Sequence, residues 1–337
     1  MEEMTQSQEM LEEETVVEKE ELAEEKNQLN DTPALTRKRW ILYVIITFVL
    51  TYTYEFAVIH PLTKGKLFPG LDATILTTVT QLLVGAAMFF PAIGVLITRL
   101  VTKEGFRNAM LMPHFKGNIK FYLMGYFGPA ILTLIGAVVY FLIYPEQFDA
   151  NCGYLVNTYK AMNVDMSTMP MSLPQLLAIQ SVQALFMGPL MNFVNCFGEE
   201  WGWRGYMVPK MAEGMKTVPM LLLSGVIWGL WHAPLTAVGH NYGMGYAGFP
   251  FTGIAAMCGF CIVLGIFLSF ITLKTKSCIP AILAHGSVNS IASVGIYFTT
   301  DGGNPFIGPA PTGVIGAIAF IIVDIIILVY WLRKKEL

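Results

Sequence analysis

Eight apolar stretches, each about as long as a membrane-spanning helix, constrain this sequence more than any other feature. A helix needs roughly 20 apolar residues to cross a bilayer, and inside lipid its backbone must satisfy its own hydrogen bonds. The composition agrees, because 54% of the 337 residues are hydrophobic and only 13% are charged. We therefore predict an all-α, polytopic membrane protein with eight transmembrane helices, over residues 40–59, 73–100, 119–144, 173–197, 218–238, 251–273, 278–298 and 313–332.

Basic residues indicate the orientation, because Lys and Arg are enriched in cytoplasmic loops. With the N-terminus inside, sixteen Lys and Arg residues between Arg37 and Lys335 fall on the cytoplasmic side. Only Lys64, Lys66 and Lys160 fall outside. We therefore predict that both the N-terminus and the C-terminus are cytoplasmic.

Residues 1–36 differ in composition from the rest of the chain. They hold twelve of the 24 acidic residues and only two lysines, so their charge is −10. Because the whole chain carries −3, the remaining residues carry +7. Such a segment cannot bury enough apolar surface to fold alone. We predict an acidic, disordered cytoplasmic tail over 1–36, which could dock a cytoplasmic partner, and a membrane domain over 37–337. No basic cluster indicates nucleic-acid binding.

Two adjacent carboxylates and an arginine follow the fourth apolar stretch, at Glu199, Glu200 and Arg204. Ionisable groups within a membrane are costly and usually mark a functional site. Because residues four apart share a helix face, we expect Glu200 and Arg204 to form a structural ion pair. Glu199 lies about 100° further round the helix and is expected to point elsewhere. The helix is expected to continue past the carboxylates, to about Pro209.

Two later stretches repeat this four-residue spacing. Trp228 and His232 lie in the fifth apolar stretch, and His285 and Asn289 lie in the seventh. At about 1.5 Å per residue, the depths of Glu199 and of the two histidines along their helices roughly agree. We predict that the three helices bring a carboxylate, two imidazoles and an amide around one water, in a pocket reached from the cytoplasm.

This set of groups suits peptide-bond hydrolysis, which needs a base for water, a donor for the oxyanion and an acid for the leaving amine. Glu199 is the predicted base, and His232 would hold the same water or pass on its proton. His285 and Asn289 are the predicted oxyanion donors. Trp228 is expected to support the site.

A zinc centre would use the same groups differently, with Glu199, His232 and His285 as ligands and water in the open position. The H-E-x-x-H spacing of zinc proteases does not occur in the sequence. Asparagine is also a poor zinc ligand. We favour a mechanism without a cofactor and keep zinc as the alternative.

Other polar residues in the apolar stretches have simpler explanations. Glu55 and Asp324 are intramembrane acids with no motif around them, and we predict structural roles for both. Cys258 and Cys261 form a C-x-x-C, but cysteine commonly behaves as a small buried hydrophobe. Packing is therefore the predicted role of these two cysteines.

At these motifs the sequence resembles the CPBP family, the intramembrane proteases related to the type II CAAX prenyl endopeptidase and to bacteriocin-processing or immunity proteins. Residues 199–204 match the first family motif, His232 closes the second, and residues 285–289 form the third. The resemblance covers about residues 173–298. The second motif usually begins with Phe, where this chain has Trp228.

The resemblance implies a glutamate-dependent endopeptidase of eight transmembrane helices with a cytoplasm-facing cavity. In the family, the residues that correspond to Glu199 and His232 activate water, and those that correspond to His285 and Asn289 form the oxyanion hole. The substrate does not carry over, because members cut prenylated CAAX tails, peptide precursors or membrane proteins, and some act as scaffolds.

Our first hypothesis is an intramembrane endopeptidase that acts, within the lipid bilayer, on a peptide or membrane-protein substrate. The alternative is a non-catalytic membrane scaffold, or a peptide-sequestering protein of the immunity type, that uses the same cavity for recognition. A proton-coupled transporter would use Glu55 and Asp324, but no inverted repeat is visible in the sequence.

Overall fold

The computed structural model describes residues 32–334, which are mainly helical and contain two isolated β-bridges but no longer strand. Residues 1–31 of the predicted tail 1–36 lie outside the described residues. The first helix begins at Pro33, within the last residues of that predicted tail. The main helices, in chain order, are α1 Pro33–Tyr54, α2 Ala73–Ala87, α3 Phe90–Val101, α4 Ile119–Ile143, α5 Gly153–Ala161, α6 Leu173–Met191, α7 Phe193–Gly202, α8 Thr217–Trp231, α9 Phe251–Thr275, α10 Ile279–Ile291 and α11 Ile318–Lys334.

Helices coincide with all eight predicted apolar stretches. When adjoining helices such as α2 and α3 are taken together, five helical segments within residues 32–334 are long and apolar enough to cross a membrane: Pro33–Thr63, Thr74–Val101, Ile119–Ile143, Phe251–Thr275 and Ile279–Tyr297. The bent pair of α6 and α7 makes a sixth. The other two are shorter, since α8 has 15 residues and α11 has 17. The all-α, multi-pass membrane architecture is confirmed. The count of eight crossings and the orientation of the termini stay predictions.

The fourth predicted span is bent. α6 ends at Met191 and α7 begins at Phe193, with an angle of 54° between them. Pro189 cannot donate a helical hydrogen bond, and the side-chain amide of Asn192 caps the corner by donating to the Gly188 carbonyl at 3.0 Å. A single helix over 173–197 was therefore wrong.

The predicted continuation of this span past the carboxylates is confirmed. α7 runs into a π-helical turn at Trp203–Met207 and then into a short helix at Val208–Ala212. A second π turn, Glu55–Ile59, follows α1 in the same way. Because π turns are frequent at functional sites, both segments are candidates for a functional role.

α8 crosses α9 closely because two glycines lie at the contact. A β-carbon on Gly225 would come within 2.5 Å of the Cα of Ile262, and one on Gly229 within 2.4 Å of the Cα of Cys258. Small residues four apart allow membrane helices to approach in this way. The crossing fixes the C-terminal end of α8, which leads directly into His232.

A buried charge cluster joins α1, α3 and the continuation of α7, and we call it the Glu104 cluster. Oε1 of Glu104 accepts a hydrogen bond from Lys210 Nζ at 2.6 Å, and Oε2 accepts one from the Tyr206 hydroxyl at 2.8 Å. Guanidinium nitrogens of Arg39 and Arg99 lie 3.5 Å from the same carboxylate. One carboxylate thus holds three segments of the bundle together.

Candidate active site

The three motifs predicted from the sequence meet in one buried group, which we call the Trp228 cluster. Glu199 and Glu200 lie on α7, Trp228 lies on α8, His232 follows α8 directly, and His285 lies on α10. All five side chains are buried. Helices that are distant in the sequence therefore place their polar groups together, as the sequence predicted.

The indole of Trp228 joins the parts of this cluster. Its Nε1 donates a hydrogen bond to Oε2 of Glu199 at 2.9 Å. Its ring centroid lies 5.8 Å from that of His232 and 5.5 Å from that of His285. The Arg204 guanidinium carbon lies 3.9 Å from the same ring, in a cation–π contact. Trp228 therefore touches a residue of every motif.

Glu200 links the first motif to the third. Its Oε1 accepts hydrogen bonds from Arg204 Nη1 at 3.0 Å and from His285 Nδ1 at 2.8 Å. The predicted ion pair of Glu200 and Arg204 is thus present, and it also holds a histidine. Because the carboxylate oxygen accepts both bonds, Nδ1 of His285 carries a proton and the orientation of its ring is fixed.

His232 is oriented by the main chain of its own helix. Its Nδ1 lies 2.9 Å from the carbonyl oxygen of Trp228. Since a carbonyl only accepts, Nδ1 carries the proton and Nε2 of the neutral ring is left as an acceptor. The Sγ atom of Cys261 lies 3.9 Å from Nδ1, so this cysteine packs against a predicted catalytic residue.

The end of α8 at His232 has a local cause. Pro234 has no N–H, so the carbonyl of Leu230, four residues earlier, loses its helical donor. The Tyr52 hydroxyl on α1 donates to that carbonyl at 2.6 Å. The proline therefore ends the helix at the histidine, and α1 supplies the missing hydrogen bond.

Asn289 lies one turn beyond His285 on α10, as its spacing predicted. Its side chain is exposed, and Nδ2 lies 3.6 Å from Sγ of Cys196 on α7. Cys196 precedes Glu199 by three residues, so the amide borders the Trp228 cluster. It makes no hydrogen bond to His285 or to Glu199 among the contacts of the described residues.

Two of the three residues proposed as zinc ligands make hydrogen bonds to other side chains. Glu199 accepts a hydrogen bond from Trp228, and His285 donates one to Glu200. Across residues 32–334, no three His, Cys, Asp or Glu side chains are grouped so that they could hold a metal ion. Activation of water without a metal and the zinc centre of Glu199, His232 and His285 both stay predictions.

The contacts that cross between helices are not predictable from the spacing of the motifs. Glu200 and His285 are 85 residues apart, and no spacing within either motif indicates their hydrogen bond. The packing of Cys261 against His232 was missed for the same reason. Each motif predicted its own helix face but not the residue opposite that face.

Comparison with known proteins agrees with the motifs. Residues 181–291 match the family described as Type II CAAX prenyl endopeptidase Rce1-like. A protein named CAAX prenyl protease 2, from Methanococcus maripaludis, is 34% identical over 99 residues, which are 27% of this chain and 34% of that protein. The chain thus matches about a third of the length of this curated relative. The resemblance to the CPBP family that the motifs predicted is confirmed for the segment 181–291, which is similar to the Type II CAAX prenyl endopeptidase Rce1-like family.

Proposed function

We propose that this protein is an intramembrane endopeptidase that hydrolyses a peptide bond of a membrane-associated substrate. The observation that carries the proposal is the Trp228 cluster, in which one indole contacts a carboxylate and two imidazoles inside a multi-pass membrane protein. The name of the Methanococcus maripaludis relative makes prenylated CAAX tails the first substrate class to test.

Glu199 and His232 activate the water in this mechanism. Nε2 of His232 accepts a hydrogen bond from the water, and the Glu199 carboxylate takes its proton as the oxygen attacks the scissile carbonyl. The C–O bond forms, and the C–N bond then breaks as Glu199 passes the proton to the leaving amine. The indole N–H of Trp228 keeps the Glu199 carboxylate in place throughout.

His285 and Asn289 stabilise the oxyanion. While Nδ1 of His285 stays bound to Glu200, Nε2 can donate to the oxyanion when the ring is doubly protonated. Arg204 holds Glu200 in position for this contact. The amide of Asn289 borders the cluster and supplies the second donor. Substrate reaches the site from the cytoplasmic side in this proposal, as the distribution of Lys and Arg in the sequence predicts.

The test compares wild-type protein with Glu199→Gln in two assays. Terminal-peptide mass spectrometry of cell membranes detects new protein termini, and the purified full-length chain is incubated with a farnesylated CAAX peptide. We expect Glu199→Gln to lower cleavage by about 10²- to 10⁴-fold, because a positioned base contributes about that much. Glu146→Gln, which changes an exposed carboxylate on another segment, should cleave like the wild type.

Each other outcome has a defined meaning. If the new protein termini found in wild-type cells are also present in Glu199→Gln cells, they do not arise from this site. That result would contradict the endopeptidase and favour the membrane scaffold or the peptide-sequestering protein. Glu199-dependent cleavage of membrane proteins, with the farnesylated peptide left intact, would keep the endopeptidase and exclude the CAAX substrate.

A further inference from the structure

The first membrane helix buries a polar face. Every buried residue of α1 carries a polar group: Thr36, Arg39, Tyr43, Thr47 and Thr51. Glu55 continues this face at the start of the π turn. Polar groups within a membrane require a partner or water, so the position of this face in the bundle matters.

The face of α1 reaches the candidate active site at Thr51. The Thr51 hydroxyl oxygen accepts a hydrogen bond from Trp231 Nε1 at 2.7 Å. The ring of Trp231 packs edge-on against that of His232, with centroids 4.7 Å apart. α1 therefore lies behind His232, on the side of Trp231.

Glu55 lies one turn further along the same face. The π turn that it begins contacts the short helix Ala233–Thr236, which directly follows His232. His60, at the end of this turn, has its Nε2 2.8 Å from the carbonyl oxygen of Pro234 in that short helix. Glu55 thus begins a turn that packs against the segment following a predicted catalytic histidine.

The carboxyl group of Glu55 is fully buried, and neither of its oxygens has a hydrogen-bond partner within residues 32–334. It lies within electrostatic range of the Glu199 carboxylate. Other buried atoms near the site also lack a hydrogen-bond partner in the described part of the chain, among them Oε2 of Glu200 and Nε1 of Trp203. The ring of Trp203 packs against Trp231, with centroids 5.8 Å apart. Several unsatisfied polar atoms therefore border the candidate active site.

Asp324 provides a matched comparison. It is also a buried carboxylate whose two oxygens have no partner among the described residues. However, α11, which carries it, packs chiefly against α4 and α9 rather than against the motif helices α7, α8 and α10. Asp324 thus shares the chemistry of Glu55 but not its position.

We propose that Glu55 is a positioning residue of the active site, whose carboxyl group holds the hydrolytic water beside Glu199 and His232. The proposal rests on the proposed endopeptidase function. A hydrolase inside a bilayer must keep water where lipid excludes it, and a buried carboxyl group with no protein partner is satisfied by water. Glu55 makes and breaks no bond, because the proton of the water still passes to Glu199 and then to the leaving amine.

The first experiment measures cleavage of the farnesylated CAAX peptide and of membrane proteins by the wild type, Glu55→Gln, Glu55→Asp, Asp324→Asn and Glu199→Gln. We expect Glu55→Gln to lower kcat by about 100-fold with little change in KM, because misplaced water costs rate and Glu55 does not contact the substrate. Glu55→Asp should recover part of the rate, since it keeps the carboxyl group. Asp324→Asn should match the wild type.

The second experiment does not depend on a substrate. Infrared difference spectra of wild type against Glu55→Gln, and of wild type against Asp324→Asn, isolate the two carboxyl bands in the full-length protein. On transfer to D₂O, the Glu55 band should shift within seconds and the Asp324 band much more slowly. A Glu55 band that exchanges as slowly as that of Asp324 would overturn the proposal.

The two proposals fail in different ways. If Glu199→Gln is inactive and Glu55→Gln cleaves at the wild-type rate, the role of Glu55 is wrong and the endopeptidase stands. If Glu199→Gln gives the same cleavage as the wild type, the cleavage does not come from the Glu199 site, and the proposed mechanism fails together with the role of Glu55 as a positioning residue.

Discussion

The Glu104 cluster and the Trp228 cluster are both built on α7 and its continuation, yet their carboxylates are satisfied to different degrees. Each oxygen of Glu104 accepts a hydrogen bond, and three cations lie within 3.5 Å of the carboxylate. In the Trp228 cluster, Oε2 of Glu200 has no partner among the described residues, and Glu199 is held by one indole. Full pairing stabilises a fold, whereas incomplete pairing leaves polar atoms available to water or substrate.

The largest expected difference between the clusters is in stability. Glu104→Gln should lower the free energy of unfolding by about 3–5 kcal/mol, because it leaves Lys210 and two arginines buried without their counter-charge. Glu199→Gln should change it little, since the glutamine oxygen can still accept from Trp228. Denaturant unfolding of the purified protein in lipid micelles measures both. Equal destabilisation by the two substitutions would contradict the comparison.

The next effect concerns the hydrogen bond between Trp228 and Glu199. Trp228→Phe should lower cleavage by about 10- to 100-fold, because a hydrogen bond to a charged group contributes about 1.5–3 kcal/mol. Trp201→Phe is the control, since the Trp201 indole donates to the Ala109 carbonyl at 3.0 Å, outside the site. Cleavage is measured per folded molecule. An equal loss in both variants would assign the effect to packing.

The smallest expected effect is the pH dependence of the Glu104 cluster. Burial acts to raise the pKa of Glu104, but the charge and hydrogen bond of Lys210, together with Arg99, outweigh it and hold the pKa below the ordinary value of 4.5. A carboxyl group whose pKa is lowered by folding stabilises the protein above its unfolded pKa. That contribution is lost as the pH falls through the folded-state pKa.

Unfolding experiments between pH 6 and pH 3 measure this contribution. We expect the unfolding free energy of the wild type to fall below about pH 4.5, by at most about 1.4 kcal/mol per pH unit for this one group. Glu104→Gln should lack that part of the decrease. Parallel pH profiles for the two proteins would show that the Glu104 cluster does not couple protonation to folding.

Much of the architecture was predictable because lipid restricts what a chain can form. Apolar stretches of helix length became helices, and residues four apart within one helix share a face, as Glu200 and Arg204 do. The bend at Asn192 was not predicted, although Pro189 precedes it. A proline within a membrane helix can be accommodated by neighbouring groups, so its presence alone does not determine a bend.

The sequence by itself determined the membrane architecture, the helices that carry the motifs, and the pairing of residues one turn apart, because these follow from composition and local helix geometry. The tertiary structure alone decided which helix faces meet, and it joined Glu200 to His285 and Trp228 to Glu199. Glu55 and Asp324 show the difference most clearly, since both are isolated acids in apolar stretches. Only the packing of α1 behind His232 distinguishes the role of Glu55 from that of Asp324. The position of a side chain relative to other helices depends on how those helices cross, and not on its neighbours in sequence.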